Sequence, residues 1–219
     1  MSNFFKKIIE ENNFTVKEVI DKVFILENFI SKEEQTELFN IINDIKEEDW
    51  KAEYLLNAKN FCIEKFGRDD IENLILEGKF ELTKDWDDKV FNIFKTKISD
   101  LLYSRLNKIV NSIDNSLYLS GFQTIQRMQP GVKLESHTDD HTDPSIKYAT
   151  ILYLNDDYLG GELFFKNKNF KIKPSSRSLL IFPGTDEFEH GVDVVKDGPI
   201  RYVLVGFIKT KNFYKNNKY

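Results

Sequence analysis

The sequence contains a single cysteine, Cys62, among 219 residues, so an intramolecular disulfide is excluded. Its apolar neighbours Phe61 and Ile63 predict that Cys62 is a small buried side chain. No apolar run approaches the roughly 18 residues that a membrane-spanning helix requires. Residues 1–12 mix Phe and Ile with charges, which indicates an amphipathic helix rather than a cleaved signal peptide. These absences predict a cytoplasmic protein that does not enter a membrane.

Positive charge is not in excess either, because 31 Lys and Arg face 36 Asp and Glu and give a net charge of -5. Proteins that bind nucleic acid through its backbone usually carry a basic surplus, so nucleic acid is disfavoured as a partner. The lysine-rich end at residues 209–219 is predicted to be a solvated tail. The content of 41% hydrophobic and 31% charged residues is typical of an ordinary soluble globular protein.

The first half of the chain has helical patterns. Val23–Leu26 predicts a short buried strand, and Ser31 with Glu34 forms the pattern of a capping box at the start of an amphipathic helix. Tyr54–Phe66 predicts a second helix, and Asp85–Ile113 predicts the longest one. We therefore expect residues 1–116 to form a helical support region.

From Leu117 the pattern changes to short strands punctuated by Gly and Pro. The predicted strands are Leu117–Met128, Lys147–Leu154, Glu162–Lys166, Phe170–Lys173, Ser178–Phe182 and Arg201–Ile208. Close-spaced strands after a run of helices predict an α+β protein with a mainly β core, either a sandwich or a jelly roll, with the helices on one sheet. We expect a single domain over residues 1–219, with its core at 117–208.

Two of the three histidines stand in a pattern that can bind iron. His137-x-Asp139 followed by a distant His190 is the sequence form of a 2-His-1-carboxylate triad, which leaves coordination positions open for other ligands. Residues i and i+2 of a strand point to the same side, so His137 and Asp139 are expected to lie on one strand. A second pair, His141-x-Asp143, competes with the first as a possible ligand pair.

Arg201 is a candidate for binding an anion. On the last predicted strand it shares a face with Val203, Val205 and Phe207, and a charged group among apolar residues needs an anionic partner. A guanidinium matches a carboxylate bidentately, so the partner is either a ligand carboxylate or an acidic side chain of the protein.

Further motifs surround these residues in a fixed order. They are Pro130-Gly131, Leu134, Thr150, Leu152-Tyr153-Leu154-Asn155, Gly160-Gly161-Glu162-Leu163, Leu180-Ile181-Phe182-Pro183, Gly191-Val192, Val195, Gly198 and Tyr202. Together with the triad, this order and spacing resemble the prolyl 4-hydroxylase-like branch of the Fe(II)/2-oxoglutarate-dependent dioxygenases. The resemblance covers about Val23 to Ile208 and is strongest from Pro130 onward. It implies that the fold is a double-stranded β-helix, or jelly roll, of antiparallel strands.

The resemblance implies a role for each site residue. His137, Asp139 and His190 would ligate Fe(II), and Arg201 would bind the distal carboxylate of 2-oxoglutarate. Counting from Pro130-Gly131 and from Tyr153 favours the first His-x-Asp pair over the second. Tyr153 either reaches the same carboxylate or is only a core aromatic residue.

The chain departs from its relatives at one place. Many relatives carry a tyrosine just before Pro-Gly, where this chain has Met128 and Gln129. Gln126 or Gln123 is a candidate to replace the missing polar contact.

The function implied is hydroxylation of an unactivated C–H bond, with O2 and 2-oxoglutarate as cosubstrates and ascorbate as a candidate reductant. The expected substrate is a prolyl or other side chain in a peptide or protein, and the alternative is a free amino acid or other small molecule. A DNA-repair demethylase is disfavoured, because that branch usually has a second arginine where this chain has Phe207. A non-catalytic jelly-roll binding module and a cupin-like metalloenzyme that uses no 2-oxoglutarate are the remaining alternatives. The sequence indicates no catalytic residue beyond the metal ligands. It does not identify the substrate-binding residues or the oligomeric state.

Overall fold

The structure is a computed structural model that describes residues 15–52, 62–63, 66–68, 70–79, 89–93 and 96–211. The helix expected at residues 1–12, most of the helix expected at Tyr54–Phe66 and the tail from residue 212 lie outside the described residues. Among the residues described, no helix is long and apolar enough to cross a membrane.

The described residues include four α-helices, fourteen strands and three short 3₁₀ helices, the last at Glu47–Asp49, Lys166–Lys168 and Asp186–Phe188. The helices are α1 (Lys32–Asp44), α2 (Ile71–Leu76), α3 (Lys97–Ile113) and α4 (Asp139–Thr142). The strands are β1 (Thr15–Ile20), β2 (Val23–Glu27), β3 (Lys51–Ala52), β4 (Lys89–Asn92), β5 (Leu117–Met128), β6 (Leu134–His137), β7 (Ile146–Tyr153), β8 (Leu159–Gly160), β9 (Leu163–Phe165), β10 (Phe170–Ile172), β11 (Leu179–Pro183), β12 (His190–Val192), β13 (Val195–Asp197) and β14 (Arg201–Thr210).

The strands build two antiparallel sheets that enclose a core. The large sheet has eight strands in the order β1-β2-β11-β7-β14-β5-β4-β3, and the small sheet has the order β10-β9-β12-β6. β13 and β8 form a separate antiparallel pair. This arrangement of mainly antiparallel strands confirms the predicted jelly roll.

Alternating residues of the large sheet serve two different cores. Ile151, Tyr153 and Val203 face the small sheet and pack with Phe165 and Val192. Their chain neighbours Leu152 and Leu204 face the other way, into a cluster with the helices. Because both faces are covered, the last five residues of β7 are all buried, whichever side of the sheet they face.

Helices α1 and α3 cover the outer face of the large sheet, as predicted. Leu38 of α1 and Leu102 and Leu106 of α3 are fully buried against the sheet. The capping box predicted at Ser31 and Glu34 is confirmed. The predicted burial of Cys62 is also confirmed.

The helix predicted over Asp85–Ile113 is wrong in its first part. Residues Lys89–Asn92 form β4, which pairs with β5, and α3 begins at Lys97 after the N-cap Thr96. The pairing of β4 with β5 joins residues that are distant in the sequence, so helical periodicity could not reveal it. β1 and β3 likewise add strands to the region that we expected to be helical, and β14 continues to Thr210, past its predicted end.

Candidate metal centre

The three residues of the predicted triad meet at the inner face of the small sheet. Nε2 of His137 and Nε2 of His190 each lie 3.8 Å from an oxygen of the Asp139 carboxylate. The two imidazole rings are 4.5 Å apart between centroids, and one donor atom of each residue lies within 4.8 Å of the others. The fold therefore brings together the three side chains that the sequence places far apart.

The local backbone differs from our expectation for the His-x-Asp pair. His137 is the last residue of β6, and Asp139 is the first residue of the short helix α4, so the pair does not lie on one strand. The chain turns between them, and this turn brings the carboxylate beside both rings. His190 opens β12 and is the register partner of His137.

Both histidines are held in the same way by a backbone carbonyl two residues earlier. Nδ1 of His137 lies 3.0 Å from the oxygen of Glu135, and Nδ1 of His190 lies 3.0 Å from the oxygen of Phe188. A carbonyl oxygen only accepts, so each Nδ1 carries the hydrogen and each Nε2 keeps its lone pair. This is the orientation in which an imidazole binds a metal through Nε2.

Burial changes the ionisation of the three groups. Desolvation lowers the pKa of His190 to about 3 and lowers the pKa of His137, so both rings are neutral at neutral pH. Desolvation, with a contribution from the charge of Asp140, raises the pKa of Asp139 to about 7. Neutral imidazoles beside a carboxyl that a cation would ionise form a suitable set of metal ligands.

The unsatisfied atoms of the site support the same interpretation. Oδ2 of Asp139 is buried and has no hydrogen-bond partner among the described residues. A buried carboxylate oxygen without a partner is costly. A divalent cation between the two Nε2 atoms and this carboxylate would satisfy it, and the two-His-one-carboxylate donor set suits Fe(II).

A cavity runs from the triad into the core between the two sheets. Apart from the triad it is lined by Gln126, Met128, Leu134, Ala149, Ile151, Leu163, Phe182, Val192, Arg201, Val203, Val205 and Phe207. Arg201, Val203, Val205 and Phe207 all line it, so the predicted shared face is confirmed. The walls are mainly apolar, and Arg201 brings a positive charge into them.

Arg201 is almost completely buried, with 2% of its surface exposed. Its Nη1 lies 3.4 Å from the sulfur of Met128, and its guanidinium carbon lies 5.2 Å from the ring centroid of Tyr153. A guanidinium in an apolar cavity that also contains a metal site is suited to bind the carboxylate of a ligand.

Two buried phenols accompany Arg201, one predicted and one not. The hydroxyl groups of Tyr153 and Tyr158 are buried and interact with Arg201, but neither makes a hydrogen bond of normal geometry among the described residues. Desolvation raises the pKa of both phenols, and the charge of Arg201 opposes this rise. Tyr158 was missed because it precedes β8 in a loop without any periodic pattern. In the structure the Tyr158 ring packs against Gly161, where an added Cβ would lie 3.0 Å from it.

Of the two candidate glutamines, the structure describes the side chain of Gln126 only. Gln126 lines the cavity. The side chain of Gln123 lies outside the described residues. Whether Gln126 or Tyr153 contacts a ligand stays a prediction.

The competing pair, His141 and Asp143, does not converge on one point. Nε2 of His141 lies 2.8 Å from Asp186, and both side chains are more than 70% exposed. Asp143 instead accepts hydrogen bonds from the backbone and hydroxyl of Ser145 and from Lys209. His141, Asp186 and Asp140 form a second, exposed group of potential metal ligands.

Comparison with known proteins agrees with this geometry. Residues 123–209 match the sequence model of the 2OG-Fe(II) oxygenase superfamily. No curated protein matches the sequence.

Three solved structures share the fold. A viral collagen prolyl hydroxylase from Paramecium Bursaria Chlorella virus-1, in complex with 2OG, is 19% identical, with a TM-score of 0.57, over 88% of this chain and 99% of that chain. A prolyl hydroxylase from Trichoplax adhaerens, in complex with a hypoxia-inducible-factor peptide fragment, is 17% identical, with a TM-score of 0.63, over 86% and 84%. A Pseudomonas putida prolyl-4-hydroxylase is 14% identical, with a TM-score of 0.56, over 87% and 93%.

The match includes the segment that carries the triad, Tyr153, Tyr158 and Arg201, and the likeness to solved structures covers most of the chain. Residues 123–209 therefore match the 2OG-Fe(II) oxygenase superfamily, and the chain has the fold that prolyl hydroxylases also have.

Proposed function

We propose that this enzyme hydroxylates an unactivated C–H bond of a prolyl or other side chain in a peptide or protein, at an Fe(II) held by His137, Asp139 and His190. One observation carries the proposal: the triad and Arg201 line the same cavity. In that cavity a cosubstrate with two carboxylates can contact the metal at one position and the guanidinium of Arg201 at another. When bound, Fe(II), 2-oxoglutarate and O2 supply the oxidation, and 2-oxoglutarate leaves as succinate and carbon dioxide.

The residues of the chain have distinct tasks in this reaction. Arg201 binds the distal carboxylate of 2-oxoglutarate, and the phenols of Tyr153 and Tyr158 are donors that can add hydrogen bonds beside it. The apolar walls at Ile151 and Val203 exclude water from the cosubstrate, which strengthens the ion pair with Arg201.

The site opens towards solvent on the side of His137. The side chain of His137 is 24% exposed, whereas those of Asp139 and His190 are 8% and 6% exposed. A substrate therefore approaches the metal beside β6, which is the outermost strand of the small sheet. An open side at a sheet edge suits a peptide segment, and two of the structurally similar enzymes are named for collagen or contain a bound peptide.

Succinate formation tests the reaction class. We expect the purified enzyme with Fe(II), 2-oxoglutarate and ascorbate to release succinate, even without a substrate. His137→Ala and Arg201→Ala should abolish this turnover, and His141→Ala should retain it, because His141 is exposed and outside the cavity. Turnover that His141→Ala removes and His137→Ala retains would contradict the assigned triad.

A second assay tests the substrate class. Proline-containing peptides and free proline are incubated with the enzyme, and mass spectrometry detects the gain of one oxygen atom. We expect oxygen in the peptide, with at least one succinate formed for each oxygen atom incorporated. Oxygen gained only by free proline would favour the small-molecule alternative.

A further inference from the structure

The strand that carries His137, β6, has only limited pairing with its sheet. β6 has four residues and lies at the end of the small sheet, where β12 is its one partner among the described strands. Its register with β12 contains two residue pairs, His190 with His137 and Val192 with Leu134, and the register shifts between them. A short edge strand with an irregular ladder leaves the position of His137 only partly determined by backbone hydrogen bonds.

A side-chain network adds a second link between the same two strands. Ser136 donates a hydrogen bond from its hydroxyl to an oxygen of the Glu189 carboxylate. Nζ of Lys166 donates to the same oxygen at 2.8 Å, and the backbone N–H of Lys166 donates to the carbonyl of Glu189 at 2.9 Å. Ser136 directly precedes His137, and Glu189 directly precedes His190. The hydrogen bond between Ser136 and Glu189 therefore connects the two residues that stand next to the histidines.

The network lies outside the cavity, because neither Ser136, Glu189 nor Lys166 is among its lining residues. The Glu189 carboxylate accepts both hydrogen bonds, one from Ser136 and one from Lys166. The side chain of Lys166 is 60% exposed, and such an ion pair contributes little to stability. The effect of the network should therefore appear in the geometry of the metal site more than in the stability of the fold.

We propose that Glu189 is a positioning residue that sets the distance between His137 and His190 by holding Ser136 from the solvent side. The proposal rests on the proposed function, since it requires the triad to bind a metal. Groups behind metal ligands commonly change metal affinity by about 10-fold to 100-fold when they are removed. Here the group acts through the strand that carries the ligand rather than through the imidazole itself.

Cobalt(II) binding by the full chain tests the proposal, with the ligand-field spectrum as a second signal that reports the geometry around the metal. Glu189→Ala should weaken Co(II) binding about 10-fold and change the spectrum. Glu189→Gln keeps an oxygen that accepts from Ser136 and should bind within a few-fold of the wild type. Ser136→Ala removes only the bond between the strands and should reproduce the effect of Glu189→Ala.

Glu187→Ala is the matched control. Glu187 lies two residues away and also pairs with a lysine, Lys168, but no hydrogen bond joins it to β6 among the described contacts. This control removes the same charge at a similar place, and it should leave Co(II) affinity and spectrum unchanged.

The outcomes separate this inference from the proposed function. A wild type that does not bind Co(II) would overturn the metal site itself. A wild type that binds, with Glu189→Ala and Ser136→Ala binding equally well with unchanged spectra, would overturn the positioning role alone. Equal losses in Glu189→Ala and Glu187→Ala would assign the effect to charge and would also overturn it. If Glu189→Ala does not fold, Ser136→Ala decides the question.

Discussion

At the scale of single residues, the ionisation of Asp139 makes metal binding depend on pH. Burial raises the pKa of this carboxyl to about 7, and His190, with a pKa of about 3, is neutral well below that pH. A metal must displace the proton of Asp139 below pH 7, so apparent affinity should fall about 10-fold per pH unit there and level off above it. Mn(II) titrations from about pH 5.5 to 8 measure this dependence.

Protein stability without metal is a poor substitute for that measurement. The raised pKa of Asp139 stabilises the fold at low pH, and this contribution is lost as pH rises through about 7. The lowered pKa of His190 has the opposite effect on stability. As the pH falls, this imidazole is protonated in the unfolded chain before it is protonated in the folded protein, so the fold loses stability. The effects of Asp139 and His190 on stability oppose each other over most of the range, whereas the proton of Asp139 competes directly with the metal. Affinity that stays constant between pH 5.5 and 7 would contradict the assignment.

The phenols beside Arg201 provide a second prediction at this scale. Tyr153→Phe removes a buried hydroxyl that makes no hydrogen bond of normal geometry among the described residues, so folding should be little affected. A hydrogen bond to a charged group contributes about 1.5 to 3 kcal/mol, so the Kd for 2-oxoglutarate should rise at least about 10-fold. Tyr158→Phe should act in the same direction. The measurement is calorimetric titration of 2-oxoglutarate into the Mn(II)-loaded enzyme.

Tyr148→Phe is the control, because Tyr148 lies on the same strand but packs in the cluster on the helix side of the sheet. Its affinity for 2-oxoglutarate should equal that of the wild type. Wild-type affinity in both Tyr153→Phe and Tyr158→Phe would show that these phenols are core residues only.

At the scale of elements, the end of β11 holds the start of α4 in place. The carbonyl of Gly184 accepts a hydrogen bond from the backbone of Asp140 at 3.0 Å. A Cβ at Gly184 would lie 3.0 Å from Ile146 and 3.2 Å from the Cβ of Asp139. Gly184→Ala should therefore displace the carboxylate of Asp139 and weaken Mn(II) binding by about 10-fold, a loss of about 1.4 kcal/mol.

Gly67→Ala separates this effect from general destabilisation. Gly67 has a φ of +66° and nothing within 4 Å of an added Cβ. The substitution should cost about 1 kcal/mol of folding free energy through backbone strain and leave Mn(II) affinity unchanged. Equal Mn(II) affinity in Gly184→Ala and the wild type would show that Asp139 is positioned independently of β11.

Six of the strands from Leu117 onward were predictable because their signals are local, whereas the short strands β6, β8, β12 and β13 were not predicted. Alternating apolar residues and the turns at Pro130 and Gly160 determine where these strands begin and end. β4 was not predictable, because its strand conformation depends on pairing with β5, which is distant in the sequence. The turn between His137 and Asp139 was missed for a similar reason, since α4 is held by the carbonyl of Gly184.

The same division applies to the site. The residue types and spacing of the triad and of Arg201 indicated their chemistry directly. Tyr158 and Glu189 carried no comparable signal, because the roles proposed for them depend on contacts with residues distant in the sequence. Residues that act through contacts distant in the sequence cannot be recognised from a single chain.

At the scale of the whole molecule, ligands should stabilise the fold by linkage. The cavity lies between the two sheets, so metal and 2-oxoglutarate bind only where both sheets are in place. At 100 times the Kd, a ligand adds about 2.7 kcal/mol to the free energy of unfolding. For a chain of 219 residues this corresponds to a rise in Tm of about 5 to 10 °C.

Differential scanning fluorimetry measures the shift with Mn(II) and 2-oxoglutarate together. His137→Ala should lose the shift, and His141→Ala should retain it. An equal shift in wild type and His137→Ala would place the stabilising ligand elsewhere on the molecule.

The most direct test of the central claim is an anomalous-scattering map from crystals of the full chain grown with Mn(II) and 2-oxoglutarate. We expect one strong peak between Nε2 of His137, Nε2 of His190 and the carboxylate of Asp139, with the distal carboxylate of 2-oxoglutarate at Arg201. A peak at Asp140, His141 and Asp186 instead, with the triad empty of metal, would contradict the account.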